Sequence, residues 1–140
     1  MKLPVMLSIC GRQNYVDAEP EVVELVTEGT LECKENGWEI CYDETDLTGL
    51  EGAHTSFLVE KEKITLTRTG NLTSQMVFRV GIPHESLYNM GFGVLLITVN
   101  ATKIQYDLSK NGGWVDLSYG IEIEQSAAGN IDYRLEIKTK

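Results

Sequence analysis

Residues 114–124 read Trp-Val-Asp-Leu-Ser-Tyr-Gly-Ile-Glu-Ile-Glu. Val115, Leu117, Tyr119, Ile121 and Ile123 alternate with Asp116, Ser118, Gly120, Glu122 and Glu124. A helix would scatter these apolar side chains around its circumference, whereas an extended strand gathers them on one face. The stretch therefore predicts a β-strand with one dry face and one wet face, as antiparallel sheets have.

The same period recurs on either side. In 131–139, Ile131, Tyr133, Leu135 and Ile137 share one face. In 38–44, Trp38, Ile40 and Tyr42 do so, in 63–69 Ile64 and Leu66, and in 75–80 Met76, Phe78 and Val80. Residues 18–28 contain good helix formers after Pro20, but Val22, Val23, Val26 and Thr27 are β-branched and favour a strand. One long strand over 21–34, bent at Gly29, is expected. Residues 94–99 (Val-Leu-Leu-Ile-Thr-Val) are apolar on both faces, which predicts a strand covered on both sides or lying at a contact between protomers.

Turn residues punctuate these runs. Asn36-Gly37 fits a tight mirror-image hairpin, with Asn111-Gly112-Gly113 and Gly129-Asn130 as further hairpin candidates. Glu60-Lys61-Glu62-Lys63 is a charged connector, and Thr45 to Ala53 is the longest irregular stretch. The pattern gives about ten or eleven short strands and essentially no helix. It predicts one all-β domain over 1–140, an antiparallel barrel of about eight to eleven strands that buries its edges by closing, with a two-sheet sandwich as the alternative.

The chain of 140 residues carries a net charge of −9 and is 42% hydrophobic, enough apolar content for a core. Such acidity excludes a nucleic-acid binder, which needs a basic stripe, and docking on an anionic membrane. No apolar stretch approaches a membrane span. Met1-Lys2 followed by Leu3 to Cys10 has the outline of a short secretion signal. Pro4 interrupts it and Ile9 is too large for a lipoprotein cleavage site, so a first strand is expected. Cys10, Cys33 and Cys41 form no disulfide framework and read as reduced thiols of a cytoplasmic protein. With His54 and His84 the only histidines and no CxxC, no metal site or cofactor is predicted.

Strand parity separates the charges. With the apolar face of each run turned inward, nearly every charged residue points out. Arg68, in phase with Ile64 and Leu66, and Glu44, in phase with Trp38, Ile40 and Tyr42, point in. Both stand at the last inward position of their strand, near a barrel rim. Tyr42, Tyr106, Tyr119 and Tyr133 are inward too, each with a hydroxyl that needs a partner. Arg68, Glu44, Tyr42, Tyr88, Tyr106 and Tyr119 are the candidate ligand-binding residues, suited to a small anionic or hydroxylated ligand. The structural alternative is an Arg68–Glu44 pair in a barrel filled solid by side chains.

No catalytic constellation stands out. His54 falls on the outward parity and His84 follows Pro83 in a turn-like stretch; there is no GxSxG, and Ser86 near His84 is not a triad. Asp43, Glu44 and Asp46 read as a solvated acidic loop rather than paired acid–base carboxylates. Gly91-Phe92-Gly93 lacks the helix start and lysine of a phosphate cradle. An enzyme acting at the barrel mouth would have Glu44 as its one inward base.

Tyr42-x-Glu44, Thr55, Arg68-Thr69-Gly70, Met76-x-Phe78 with Gly81, Tyr88 followed by Gly91 and Gly93, and Gly113 with Leu117-Ser118-Tyr119 occur in this order. In that order and spacing the chain resembles the YwiB-like β-barrel family of Gram-positive bacteria, small proteins with a domain of unknown function. The resemblance spans roughly residues 5–138 and rests on order and spacing. It implies a calycin-like up-and-down barrel, related in shape to lipocalins and fatty-acid-binding proteins, and no established activity, cofactor or catalytic residue. The chain departs from the family's turn pattern at Tyr88-Asn89-Met90-Gly91-Phe92-Gly93, so the rim beside Tyr88 is expected to differ. Three functions follow as expectations: a non-catalytic binder of a small ligand, a homodimeric interaction module built on 94–99, and a small-molecule enzyme.

Overall fold

Alternating side chains and short turns produce ten antiparallel strands. The computed structural model describes residues 2–15, 18–44, 52–70, 74–89 and 93–140, the side chains of Tyr88 and Asn89 excepted. In chain order the strands are β1 (Lys2–Tyr15), β2 (Glu21–Lys34), β3 (Gly37–Asp43), β4 (Ala53–Glu60) and β5 (Lys63–Gly70). There follow β6 (Ser74–Phe78), β7 (His84–Asn89), β8 (Val94–Ser109), β9 (Gly112–Ile123) and β10 (Ser126–Thr139). No helix is present among the described residues, and hence none long and apolar enough to cross a membrane.

The strands form one sheet in the order β6-β5-β4-β3-β2-β1-β10-β9-β8-β7. It curls into a nearly closed, calycin-like barrel whose two ends, β6 and β7, meet. Among the described residues, single bridges join the chain there: Arg79 to Ile82 antiparallel, and Val80 to Ala101 of β8 parallel. The Val77 N–H of β6 also donates to Nδ1 of His84, the first residue of β7, at 3.3 Å. His84 thus opens a strand instead of sitting in a turn, and its ring substitutes for a ladder bond across the seam.

The inward faces make the core. Val5, Leu7, Leu31, Ile40, Val59, Ile64 and Phe78 are fully buried, packed with Val99, Val115, Leu117, Leu135 and Ile137. Phe57 of β4 reaches Tyr133 of β10 (ring centroids 5.8 Å apart), and Phe78 of β6 reaches Tyr119 of β9 (4.6 Å). Neither pair comes from neighbouring strands, so these rings cross the lumen. Outward polar groups pair with one another: Arg134 forms an ion pair with Asp116 at 2.9 Å, and His54 Nδ1 lies 2.8 Å from the Asp43 carboxylate.

Several turns differ from the expectation. The β2–β3 hairpin reverses at Glu35-Asn36, because Lys34 already pairs with Gly37. Neither residue has positive φ. Gly37 opens β3 instead, its backbone lying against the Val59 carbonyl where a Cβ would collide. The β9–β10 hairpin turns at Glu124-Gln125, with φ of 51° and 68°, and not at Gly129-Asn130; Gly129 lies inside β10 beside a bulge. These two φ values are those of a mirror-image turn made without glycine. β2 runs over 21–34 as expected, but its register passes Gly29 without a bulge. Gly29 is there for close approach: an added Cβ would meet the Cys41 carbonyl oxygen and come within 2.7 Å of Leu7 Cδ1.

On β8, Ile97, Thr98 and Val99 are all buried, so this part of the strand is covered on both faces. Val94 is 56% exposed. Thr45 to Glu51, with Asp46, and Met90 to Phe92 lie outside the described residues.

Candidate polar site at the barrel mouth

One inward row crosses four strands near the barrel end that carries Glu44, Ala53 and Gly70. Tyr42 pairs with Thr55, Thr55 with Arg68, and Arg68 with Ser74. Residues directly opposite in an antiparallel ladder share a face, so all four side chains point to the same side. Tyr42, Thr55 and Ser74 are buried and Arg68 is half-buried. Glu44 follows just beyond the end of β3, tied by its N–H to the Ala53 carbonyl at 2.9 Å, and is itself buried. The two charges that parity turned inward do point inward.

The tyrosines join this row from across the lumen. The Tyr42 hydroxyl donates to the Glu44 carboxylate and contacts the Tyr133 hydroxyl. Burial pushes the Tyr42 phenol well up, reinforced by Tyr133 and Glu44. Burial likewise raises Tyr119 and Tyr133, and the nearby positive charge of Arg68 opposes the rise in both. Arg68, Tyr119 and Tyr133 therefore share one electrostatic environment, with all three phenols held neutral.

Two donors in this row are unused. Arg68 Nε and Thr55 Oγ1 are buried from solvent and have no hydrogen-bond partner among the described residues. A buried polar group without a partner costs roughly 1–3 kcal/mol. The two belong to residues paired directly across β4 and β5.

The structure thus groups Arg68, Glu44, Tyr42 and Tyr119, and separates Tyr106 from them. Tyr106 lies at the far end of the barrel, beside Lys63 and the β4–β5 turn. Arg68 is five residues up β5 from Lys63, roughly 17 Å along the strand. The alternation along β8 does turn Tyr106 toward the core; parity fixes a face but not a height. Tyr88 pairs with Leu95 through its backbone, and its side chain lies outside the described residues, as do Gly91 and Phe92. Sequence reasoning named Thr55 only as a mark of the family resemblance and missed Ser74, although they are in phase with Phe57 and Val59 and with Met76 and Phe78. It placed Tyr133 inward without counting it among the ligand-binding residues.

Chemically, the mouth offers a guanidinium edge and a hydroxyl as donors, and a carboxylate held by a phenol. Among the described residues no group of histidine, cysteine or acidic side chains is arranged to hold a metal ion. All three cysteines are free; Cys10 and Cys33 are exposed and Cys41 is buried.

Comparison with solved structures gives the same architecture. The crystal structure of the YwiB protein from Bacillus subtilis superposes with a TM-score of 0.80 at 24% sequence identity, covering 96% of this chain and 92% of that one. At this identity the likeness establishes the fold alone. No curated protein matches the sequence. A family described as a domain of unknown function, DUF1934, matches residues 7–137. With nearly the whole chain inside that match, the protein belongs to the DUF1934 family and has its YwiB-like β-barrel fold.

Proposed function

We propose that the protein is a non-catalytic binder of a small anionic ligand, held at the barrel mouth in the cytoplasm. The observation that carries this reading is the pair of buried, unpartnered donors, Arg68 Nε and Thr55 Oγ1, on directly opposed residues. A carboxylate or phosphate oxygen accepts from both, and charge-assisted bonds to arginine are the stronger kind. The rings that cross the lumen favour a ligand at the rim over one in a deep cavity. The acidic exterior does not oppose this, because the outward charges are paired or solvated.

The test is a thermal-shift and calorimetric screen of small carboxylates and phosphates against the wild type and Arg68→Met. A ligand that raises the wild-type melting temperature and fails to raise that of the variant supports the reading. Ligands that stabilise both proteins equally, or none that stabilises the wild type at millimolar concentration, refute it.

A second reading, a homodimer through the outer faces of β7 and β8, is favoured by one observation. Leu87 (71% exposed) pairs with Leu96, and Val94 lies on the same face of β8. Light scattering at micromolar concentration decides it: a monomeric mass removes this reading.

A further inference from the structure

The far end of the barrel is open on one side. The first half of β8 lies between β7 and β9, but from Lys103 to Ser109 β8 pairs with β9 alone. The change comes at a bulge between Ala101 and Lys103, just where Val80 makes its single bridge to Ala101. β6 ends at Phe78 and the chain turns back at Gly81, so the second half of β8 has no strand on its other side among the described residues. A cleft of about 890 Å³ lies along this edge. Ile104 and Tyr106 of β8 line one wall, the Glu60–Lys63 turn forms the other, and Arg79, Val80 and Ile82 close the end.

Three features of the cleft act together. An unpaired strand edge presents N–H and C=O groups that another strand can complete. The walls are partly apolar, with Val80 and Ile82 each 54% exposed. The lining carries Lys61, Lys63 and Arg79 against Glu60 and Glu62, a net positive charge on a chain that carries −9. Lys63 pairs with Glu60 at 3.3 Å, whereas Lys61 and Arg79 form no ion pair among the described residues.

We infer that this cleft is a docking site for one extended acidic peptide strand, which adds to the free edge of β8. Its backbone completes the ladder along Lys103–Ser109, its apolar side chains meet Ile104 and Tyr106, and its carboxylates face Lys61 and Arg79. This is recognition by strand addition, in which the main chain supplies affinity and alternate side chains supply specificity. A single strand needs about 4.8 Å of lateral room. A second copy would bring β9 along with its β8 and meet the Glu60–Lys63 wall, so the cleft favours a lone strand over a dimer. The site is at the opposite end from Arg68 and stands independently of the ligand reading.

The experiment uses a labelled, end-blocked peptide that alternates valine with glutamate, read by fluorescence anisotropy. One control peptide has lysine in place of glutamate, and a second carries N-methyl groups on alternate amides. The acidic peptide is expected to bind, and both controls to bind at least about tenfold more weakly. In the exposed double variant Lys61→Glu, Arg79→Glu, the acidic peptide should lose affinity by a similar factor while the melting temperature holds. Hydrogen exchange should show new protection over 103–109 in the complex. Equal binding of acidic and basic peptides, indifference to N-methylation, or protection elsewhere in the barrel overturns the inference. So does a concentration-dependent dimer that protects the same amides, which would assign the edge to a second copy.

Discussion

Thr55 and Arg68 stand directly opposite each other on β4 and β5, both facing inward, and each keeps a buried donor without a partner among the described residues. Two such costs on one cross-strand pair are unusual, because buried polar groups are overwhelmingly satisfied. Without ligand, therefore, the barrel mouth should be less stable than an apolar version of itself.

Thr55→Val tests this most simply. Valine has nearly the shape of threonine, and position 55 is fully buried. Removing a buried hydroxyl with no partner should stabilise the ligand-free protein by about 1 kcal/mol. Urea denaturation measures it; a loss of stability of similar size would mean that the hydroxyl already has a partner.

Arg68→Met should leave the ligand-free protein as stable as the wild type or more stable, by up to about 2 kcal/mol. Were Arg68 held in a structural ion pair, deleting its charge would strand the partner and destabilise the barrel markedly. Thermal unfolding in the absence of added anions separates the two cases.

The raised phenols predict a pH dependence. Tyr42, Tyr119 and Tyr133 have pKa values above the ordinary tyrosine value of 10.0 in the folded barrel. Their contribution to stability is complete below pH 10 and is lost as pH rises toward the folded-state values. Above pH 10 the unfolded chain releases these protons and the folded chain retains them. Each retained proton then costs about 1.4 kcal/mol of stability per pH unit. Of the six tyrosines, these three should ionise, by ultraviolet absorbance, only as the barrel unfolds. Their ionisation near pH 10 with native circular dichroism would contradict the prediction.

Gly29→Ala should cost more than Gly81→Ala. At Gly29 the new methyl group meets the Cys41 carbonyl and the Leu7 side chain. The backbone has to shift, at a cost of roughly 1–3 kcal/mol or more. Gly81 has φ of +80° and open space around it, so alanine there meets only conformational strain, about 1 kcal/mol. Equal melting temperatures for the two variants would contradict this account of β2.

His84→Leu should orphan the Val77 N–H across the seam and cost about 1 kcal/mol. The sharper readout is local: Val77 amide exchange should accelerate while that of the β1–β10 ladder stays unchanged. Unchanged exchange at Val77 would mean that the seam does not depend on the imidazole.

The strands were legible because their alternation is strict, as in Val115 to Ile123, and because period two cannot be satisfied by a helix. Parity also found the inward Arg68 and Glu44, since a charge in phase with Ile64 and Leu66 has only one face to occupy. It failed where a third coordinate matters. Tyr106 shares the inward parity of Tyr119 yet stands at the other end of the barrel, because height depends on register between strands. Hairpins were misplaced for a related reason. Glycine marks where backbones come close as often as where they turn, so Gly37 and Gly129 drew the turns away from Glu35-Asn36 and Glu124-Gln125. Thr55 and Ser74 were not counted as site residues because a hydroxyl on an inward face does not break the pattern as a charge does.

The sheet order allows the chain to be recut without changing a strand's neighbours. β1 and β10 are neighbours in the middle of the sheet, with Val5 opposite Thr139 and the Lys140 N–H reaching the Pro4 carbonyl at 3.3 Å. The seam lies instead between β6 and β7, which are consecutive in sequence. A circular permutant that joins the present ends by a short linker and opens the chain at Gly81–Pro83 would read β7-β8-β9-β10-β1-β2-β3-β4-β5-β6. Every pairing in the sheet would then link consecutive strands, and the β1–β10 pairing, which now spans almost the whole chain, would become a local hairpin. Lower contact order speeds folding, so the permutant should reach the same barrel faster than the natural connectivity does.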